Sequence, residues 1–388
     1  MPVNPAPASL NKHVVIVAGE ASGDMHAANM IKELQILDPS VSFSGMGSAN
    51  MKKTGADIFI DADELAVVGI VEVLAKYGLI KKALNALKKH LKQNQPDLLI
   101  LIDYQEFNQK LAAYAKSIGI KVLFYISPQV WAWRPNRVHK MARIVDQMAV
   151  IFPFEVPLYK NANVPVEFTG HPLVDEVIAD KTLEQARNLL GLEDKTTIGL
   201  FPGSRSGEIK NVLPVMLAAA KLLKAHDGDL QFALPIASSL NEDSFEAYSD
   251  DIKSLDIRLI SDHNYDVMQA CDAIMTASGT ATLEIGLMET PMTIVYKVSW
   301  LSYAILKRLV KIEHIGLVNI LSDREIVREF IQENARPDDI KQEIIKILDD
   351  DNYNKVMREH LALLRQKLGE GGGSKNVARL ALKMLVDE

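Results

Sequence analysis

Cysteine is almost absent from the sequence, since Cys271 is the only one among 388 residues. One cysteine cannot form an internal disulfide, and it cannot supply the repeated ligands of a zinc finger or an iron–sulfur cluster. The sequence also lacks any window of 18 uncharged apolar residues, which excludes a membrane-spanning helix. Its first residues lack the basic flank and apolar core of a signal peptide, so we expect a cytoplasmic protein.

The composition is that of a globular protein, with 48% apolar and 24% charged residues. At about 100–200 residues per domain, the length predicts two domains or three. The net charge of −7 argues against a dedicated nucleic-acid binder.

Charge is distributed unevenly along the chain. Residues 1–190 carry 20 basic and 19 acidic side chains, whereas residues 191–388 carry 23 and 31. A lysine-rich amphipathic stretch follows the strongly apolar Leu65–Leu74, and the combination over residues 65–92 is typical of a membrane-surface element. The alternative is a core-packed helix with a solvated lysine face. A membrane contact would involve Val67, Val68, Ile70, Val71, Leu74, Lys76, Lys81 and Lys82.

Short apolar strands alternate with helical patterns along most of the chain. The first strand is His13–Ala18, and the pattern restarts at Thr197–Phe201 after a break near Gly170–Asp175. Continuous apolar strands between helices indicate parallel sheets that are covered on both faces. We therefore predict an α/β protein with two doubly wound parallel-sheet units.

Two strand ends in the first unit are candidates for chemistry, because ligands of open α/β sheets bind beyond the carboxyl ends of the strands. Gly19–Asp24 has glycines that let the backbone approach a ligand, or it is a tight turn in which Ser22 or Asp24 caps the next helix. Asp103 directly follows an apolar strand, where burial would raise its pKa and make it a general base. Its alternative role is a helix cap.

Two strand ends in the second unit have features of a nucleotide site. At residues 201–208, Gly203 and Arg205 suit a diphosphate, although a turn with a surface arginine would have the same sequence. Thr280 and Glu284 lie one turn apart on a helix face, which suits a phosphate and ribose hydroxyls, unless they are a cap and a surface carboxylate. Together these motifs predict a nucleotide diphosphate in the second unit and the modified group in the first. By fold analogy, this division is that of GT-B glycosyltransferases.

Read in order, the motifs resemble the lipid-A-disaccharide synthase family, which is glycosyltransferase family 19. The most specific block is Ser-Pro-Gln-Val-Trp-Ala-Trp-Arg at residues 127–134. The full set of matching blocks is Ala18–Asp24, Glu64–Leu74, Tyr125–Arg134, Thr169–His171, Pro202–Arg205, Ala277–Ala281, Leu306–Lys311 and Asn319–Leu321.

The resemblance implies a fold, a reaction and a location. The fold would be GT-B, with two Rossmann-like domains that face each other across a cleft. The enzyme would transfer the sugar of UDP-2,3-diacylglucosamine to 2,3-diacylglucosamine 1-phosphate (lipid X), invert the anomeric centre and release UDP. Because both substrates carry acyl chains, the resemblance favours a membrane contact at residues 65–92 and peripheral binding to the anionic cytoplasmic face of the inner membrane.

The resemblance also implies roles for individual residues. Asp103 would be the catalytic base. The nucleotide and its diphosphate would be held by Gly203, Ser204, Arg205, Ser278, Gly279, Thr280, Glu284 and Asn319. The acceptor side would be lined by Glu20, Ser22, Gly23 and Asp24. Although Asp61 and Asp63 imitate a metal-binding Asp-x-Asp pair, we expect no metal and no cofactor.

These expectations define three domains by sequence. Residues 1–172 would bind the acceptor and the membrane, and residues 173–345 would bind the UDP-sugar. The helices of residues 346–388 would return to the first domain, or the last one would be swapped in a homodimer, which the hinge at Gly369–Ser374 permits. Alternative functions are another GT-B nucleotide-sugar enzyme, such as a UDP-GlcNAc epimerase or a cell-wall GlcNAc transferase, and a membrane-surface binding protein without catalysis.

Overall fold

A computed structural model describes residues 12–65, 70–128, 138–237, 239–298, 303 and 313–386, without the side chains of residues 70–76. The chain divides into two compact units. The first unit comprises Met1–Pro172 and Gly371–Glu388, and the second unit comprises Leu173–Glu370.

The first unit is a parallel sheet with helices on both faces. Its strands are β1 (His13–Ala18), β2 (Ser42–Gly47), β3 (Asp57–Asp61), β4 (Leu98–Ile102), β5 (Lys121–Tyr125), β6 (Gln147–Val150) and β7 (Val166–Phe168). Its helices are α1 (Ala21–Leu37), α2 (Ala49–Lys53), α3 (Ile70–Asn94), α4 (Gln105–Ser117), α5 (Val138–Ile144), α6 (Glu155–Asn161) and, from the end of the chain, α16 (Gly373–Val386). The strands lie in the order β3-β2-β1-β4-β5-β6-β7.

The buried strands explain this layered arrangement. Every residue of β4 is buried, as are four of the five in β5, so each strand needs cover on both faces. Leu87 of α3, Leu111 of α4 and Met141 of α5 share one apolar core with one face of the sheet. Helices α1 and α16 pack against each other, and both contact strands of the same sheet.

The second unit repeats this design. Its strands are β8 (Thr197–Phe201), β9 (Gln231–Ile236), β10 (Ile257–Ser261), β11 (Ala273–Ala277), β12 (Met292–Tyr296) and β13 (Glu329–Ile331). Its helices are α7 (Leu173–Glu176), α8 (Leu183–Leu190), α9 (Ser206–His226), α10 (Ser249–Ser254), α11 (Asn264–Ala270), α12 (Ala281–Leu287), α13 (Leu317–Ser322), α14 (Pro337–Asp349) and α15 (Asp351–Leu368), with 3-10 turns at Glu242–Tyr248 and Gln332–Asn334. All strand pairs are parallel, in the order β10-β9-β8-β11-β12-β13. The predicted α/β class with two doubly wound sheets is confirmed.

The C-terminal residues 346–388 do not behave as one segment. Helix α15 packs on α12 and α13 and belongs to the second unit, whereas α16 belongs to the first unit. Gly369 and Gly371 have φ of +104° and +92° where the chain passes from one unit to the other, a conformation that favours glycine. In α16, the side-chain amide of Asn376 donates to the carbonyl of Thr169 at 3.0 Å.

Candidate functional site

The strand order of the first unit reverses between β1 and β4, which pair directly with each other. Ligands of open α/β sheets bind at such a switch point, outside the carboxyl ends of the strands. The predicted acceptor loop follows β1 and Asp103 follows β4, so the fold brings both to this point. The ring of Tyr104, the residue after Asp103, packs directly against Gly19 of the acceptor loop. A Cβ atom built on Gly19 would lie 2.4 Å from Cγ of that ring. Only glycine fits at position 19.

The backbone at Asp103 is held in a strained conformation. Asp103 and Tyr104 have φ of +45° and +44°, in the left-handed region that non-glycine residues rarely adopt. The buried side chain of Asn108 donates from Nδ2 to the carbonyl of Asp103 at 2.8 Å and to that of Ile102 at 3.1 Å. Asn108 thereby stabilises the sharp strand-to-helix turn, a role that the sequence analysis did not predict.

The environment of Asp103 gives it the properties of a base near neutral pH. Burial and, to a smaller extent, the negative charge of Glu20 together raise the pKa of this carboxyl from 3.8 to about 6. The backbone N–H of Tyr104 and the nearby His26 oppose the increase. A carboxylate with this pKa is ionised at pH 7 and still accepts a proton readily.

The four acceptor-side residues differ in exposure. Glu20 and Ser22 are exposed, and Gly23 is buried close to Ala18 and Ile102. Asp24 is 1% exposed, and its carboxylate accepts hydrogen bonds from three backbone N–H groups, those of Ser48 (2.6 Å), Asn50 (2.9 Å) and Met51 (3.3 Å). The Asp24 carboxylate therefore anchors the start of α2, and its place on the acceptor side stays a prediction.

A buried polar cluster at the end of β5 was missed by the sequence analysis. The hydroxyl groups of Ser127 and Tyr159 lie 2.6 Å apart, and Glu155 accepts from the backbone N–H of Phe152 at 3.1 Å. Burial raises the pKa of Glu155 to about 7. The preceding Ile126 has φ of +62°, which is rare for a β-branched residue. These groups position the beginning of the Ser-Pro-Gln-Val-Trp-Ala-Trp-Arg block, of which residues 129–134 lie outside the described part.

In the second unit the strand order reverses between β8 and β11. The loop after β8 contains Gly203 with φ of +108°, and a Cβ atom there would lie 2.2 Å from Oε2 of Glu208. The Glu208 carboxylate accepts from the N–H groups of Ser204 (2.8 Å) and Arg205 (3.3 Å) and from the Arg205 guanidinium (3.3 Å). The Arg205 side chain is 71% exposed. The backbone N–H groups and the guanidinium of this loop therefore already bind one carboxylate, that of Glu208.

The loop after β11 lies beside it in the sheet. Gly279 and Thr280 are exposed, and a Cβ atom on Gly279 would meet nothing within 4 Å, so a ligand can approach this backbone. Ser278 Oγ donates to the carbonyl of Ile315 at 2.8 Å, so its hydroxyl orients the loop. One turn into α12, burial raises the pKa of Glu284 to about 7, with a further contribution from Glu176.

Asn319 has a different role from the one the resemblance implied. It is fully buried, and its Nδ2 donates to the carbonyl of Val327 and to Glu329, both at 2.8 Å. Its Oδ1 accepts from the N–H groups of Ile326 (2.8 Å) and Val327 (3.1 Å). Two donors and two acceptor positions are all that an asparagine side chain offers. All the hydrogen-bonding positions of the Asn319 side chain are therefore used within the protein, and its nucleotide contact stays a prediction.

The predicted membrane element is only partly described. Val67 and Val68 lie outside the described residues, as do the side chains of Ile70, Val71, Leu74 and Lys76. In the rest of α3, Leu87 and Leu91 are fully buried in the core of the first unit, and Lys81 and Lys82 are exposed. From Ala83 onwards, the burial of the apolar side chains agrees with the core-packed alternative. No helix in the described parts of the chain is long and apolar enough to cross a membrane.

The Asp-x-Asp pair has protein partners. Asp61 forms an ion pair with Lys52 at 2.6 Å, and Asp63 accepts from the hydroxyl of Ser48 at 2.7 Å. Among the residues that the structure describes, no group of three or more His, Cys, Asp or Glu side chains is arranged to hold a metal ion.

Two parallel sheets with donor-rich loops at their switch points define the class: this is a GT-B protein. Solved structures show the same fold. UDP-GlcNAc 2-epimerase from Neisseria meningitidis, bound to UDP-GlcNAc, matches with a TM-score of 0.65 and 13% identity, over 96% of this chain and 100% of that one. The glycotransferase of kitacinnamycin matches with a TM-score of 0.61 and 14% identity, over 96% and 99%.

Sequence comparison identifies the family. The family model described as Lipid-A-disaccharide synthetase matches residues 14–381. The lipid-A-disaccharide synthase of Geobacter metallireducens is 50% identical over 376 residues, which are 97% of this chain and 98% of that protein. The enzyme of Geobacter sulfurreducens is 50% identical over 373 residues, or 96% and 97%. The chain belongs to the lipid-A-disaccharide synthase family and is a glycosyltransferase of lipid A synthesis. The epimerase alternative is not favoured, because the similarity to epimerases extends only to the fold.

Proposed function

We propose that this glycosyltransferase joins UDP-2,3-diacylglucosamine to 2,3-diacylglucosamine 1-phosphate, with Asp103 as the catalytic base. The acceptor's 6-hydroxyl gives its proton to the Asp103 carboxylate as its oxygen attacks the anomeric carbon. The bond from that carbon to the diphosphate oxygen breaks on the opposite face, and UDP leaves with the electron pair. The observation that supports this proposal is the position and environment of Asp103 at the switch point. Its backbone is in the left-handed region, its side chain is half-buried, and the pKa of its carboxyl is about 6.

The second unit supplies the donor site in this proposal. Arg205 and the backbone N–H groups of residues 203–205 and 278–280 stabilise the negative charge that develops on the leaving diphosphate. The Glu208 carboxylate, which accepts from the same Ser204 and Arg205 donors, yields them to the diphosphate when UDP binds. Glu284 accepts hydrogen bonds from the ribose hydroxyls.

The experiment is incubation with both acylated substrates and chromatographic detection of the disaccharide. Asp103→Asn should abolish the product and leave the affinity for UDP within about twofold, because the base lies in the other unit. Glu106→Gln is the matched control, since it removes an exposed carboxylate three residues away. Near-normal turnover by Asp103→Asn would remove Asp103 as the base.

A second pair of variants tests the donor site. Arg205→Ala should weaken UDP binding about 10-fold or more in calorimetry, because the guanidinium contributes a charge-assisted hydrogen bond. Arg258→Ala, which removes another exposed arginine of the second unit, is the control. Equal UDP affinity in both variants would contradict the site.

We also propose that the first unit binds the anionic cytoplasmic face of the inner membrane peripherally. The exposed Lys81 and Lys82, next to the apolar Leu65–Leu74, support this, since each lysine near an anionic surface contributes about 1 kcal/mol. Lys81→Glu with Lys82→Glu should reduce co-sedimentation with vesicles that contain anionic lipid. Lys253→Glu with Lys355→Glu, at exposed lysines of the second unit, should not. Equal losses would indicate attraction by net charge and no defined contact.

A further inference from the structure

One carboxylate in the second unit accepts three hydrogen bonds near the proposed nucleotide loops. Glu329 is the first residue of the edge strand β13. Its Oε2 accepts from the backbone N–H of Ile315 at 2.9 Å, and its Oε1 accepts from the backbone N–H of Gly316 at 2.9 Å and from Nδ2 of Asn319 at 2.8 Å. Both oxygens are thus used, and all the donors belong to the start of α13 or to the turn before it.

Through Ile315, this carboxylate is connected to the loop after β11. The N–H of Ile315 donates to Glu329, while its carbonyl accepts from the hydroxyl of Ser278. Strand β12 lies between β11 and β13 in the sheet, so the connection crosses β12, where Gly316 packs against Ile294. Displacement of Ile315 would therefore remove the hydrogen bond that orients Ser278.

The turn at residue 316 is closely packed. A Cβ atom on Gly316 would lie 2.2 Å from Cδ1 of Ile294 and 3.1 Å from Oε1 of Glu329. The close packing holds Gly316 against β12, and the carboxylate of Glu329 holds the N–H groups of Ile315 and Gly316. Both restraints therefore act on Gly316.

We propose that Glu329 is a positioning residue of the nucleotide site. It holds Ile315 and Gly316 so that Ser278 keeps the 278–280 backbone aimed at the leaving diphosphate. This inference rests on the proposed function, because it assigns the 278–280 loop to UDP. Asn319 directly, and Ser278 through Ile315, then belong to one hydrogen-bond network around the Glu329 carboxylate.

Glu329→Gln is the informative variant, because it keeps the size of the side chain and replaces one acceptor oxygen with an NH2 group that faces N–H donors. We expect a 10-fold or greater increase in the dissociation constant for UDP and in the KM for the UDP-sugar. The KM for the acylated acceptor should stay within twofold. If Glu329 acted only through its negative charge, its removal would reduce repulsion of the diphosphate and tighten UDP binding. Weaker binding therefore indicates positioning, and tighter binding indicates a purely electrostatic effect.

A double-mutant cycle with Ser278→Ala tests the connection itself. If Glu329 acts through Ile315 and Ser278, the double variant should bind UDP no more than twofold more weakly than Glu329→Gln alone. If the losses of UDP affinity in the two single variants instead multiply in the double variant, Glu329 does not act through Ser278 and the connection is refuted. Glu333→Gln is the control, since it removes an exposed carboxylate four residues beyond Glu329. It should leave both KM values unchanged.

The outcomes also separate this inference from the proposed function. If Arg205→Ala weakens UDP binding while Glu329→Gln does not, the nucleotide site stands and the positioning role is refuted. If Glu329→Gln lowers kcat and both KM values shift together, Glu329 supports the fold in general and the inference is likewise refuted. If neither Arg205→Ala nor Glu329→Gln changes UDP binding, the assignment of the donor to these loops fails first.

Discussion

Asp103→Asn should make the protein more stable at neutral pH while it removes the proposed base. The pKa of Asp103 rises from 3.8 to about 6 in the fold, mainly because the ionised carboxylate loses solvation. A difference of this size between the folded and unfolded chains corresponds to up to about 3 kcal/mol of folding free energy. The amide of asparagine carries no charge and avoids this cost.

The sign and the pH range follow from the two pKa values. Well below pH 3.8 the carboxyl is protonated in both states, and Asp103 has no electrostatic cost. As the pH rises towards 6, the unfolded chain releases the proton that the folded chain retains, so the free energy of unfolding falls. Above the folded pKa the cost is constant. About half of it is present at pH 5, which predicts an advantage for Asp103→Asn of about 1.5 kcal/mol at pH 5 and about 3 kcal/mol at pH 8.

Urea unfolding of the wild-type protein, Asp103→Asn and Glu106→Gln at pH 5 and pH 8 measures this advantage. The control variant removes an exposed carboxylate and should change stability by less than about 0.5 kcal/mol at either pH. The reasoning is refuted if Asp103→Asn is less stable than the wild type at pH 8, or if its advantage is the same at both pH values. Either result would mean that the Asp103 carboxylate is well solvated or well paired in the fold.

Three further predictions concern other features of the two units. Gly203→Ala should weaken UDP binding at least 10-fold in calorimetry, because φ is +108° and the new methyl would lie 2.2 Å from Glu208; unchanged affinity would show that this loop does not bind the diphosphate. Asp24→Asn should lower the free energy of unfolding by about 2 kcal/mol in urea titrations, since one amide oxygen cannot replace two oxygens that accept three N–H groups. Burial and the neighbouring His13 lower the pKa of His90 below 6.5, although Asp57 opposes this, so stability should decrease as the pH falls below 6.5. His90→Gln should flatten that decrease in thermal melts between pH 7 and 5, and an unchanged slope would contradict the assignment.

The sequence pattern predicted the fold well, because buried parallel strands are nearly continuous apolar runs. Three strands of the structure lack this pattern. In β3 (Asp57–Asp61), no residue is fully buried, and β7 (Val166–Phe168) and β13 (Glu329–Ile331) have only three residues each. Edge strands that are short or half-exposed lack the pattern on which the prediction depends.

Position in the chain predicts where candidate site residues lie in the fold. Asp103 and Ser278 directly follow strands, Gly203 lies two residues beyond one, and topology brings such residues to the switch points. The sequence could not show that Asp24 is held by backbone groups 24 to 27 residues away. The positioning role of Glu329 depends on partners 10 to 14 residues earlier and was equally invisible, since no local pattern encodes a tertiary hydrogen bond.

The division of the chain also determines the order in which the protein can be completed during synthesis. The second unit is one continuous segment, whereas the first unit needs α16 from the end of the chain to cover α1 and the sheet. Domains fold as units while the chain emerges from its N-terminus. The unit that is synthesised first must therefore wait for the last residues, with the apolar surface of α1 uncovered until then. Loss of residues 371–388 alone would leave a complete second unit joined to an incomplete first one.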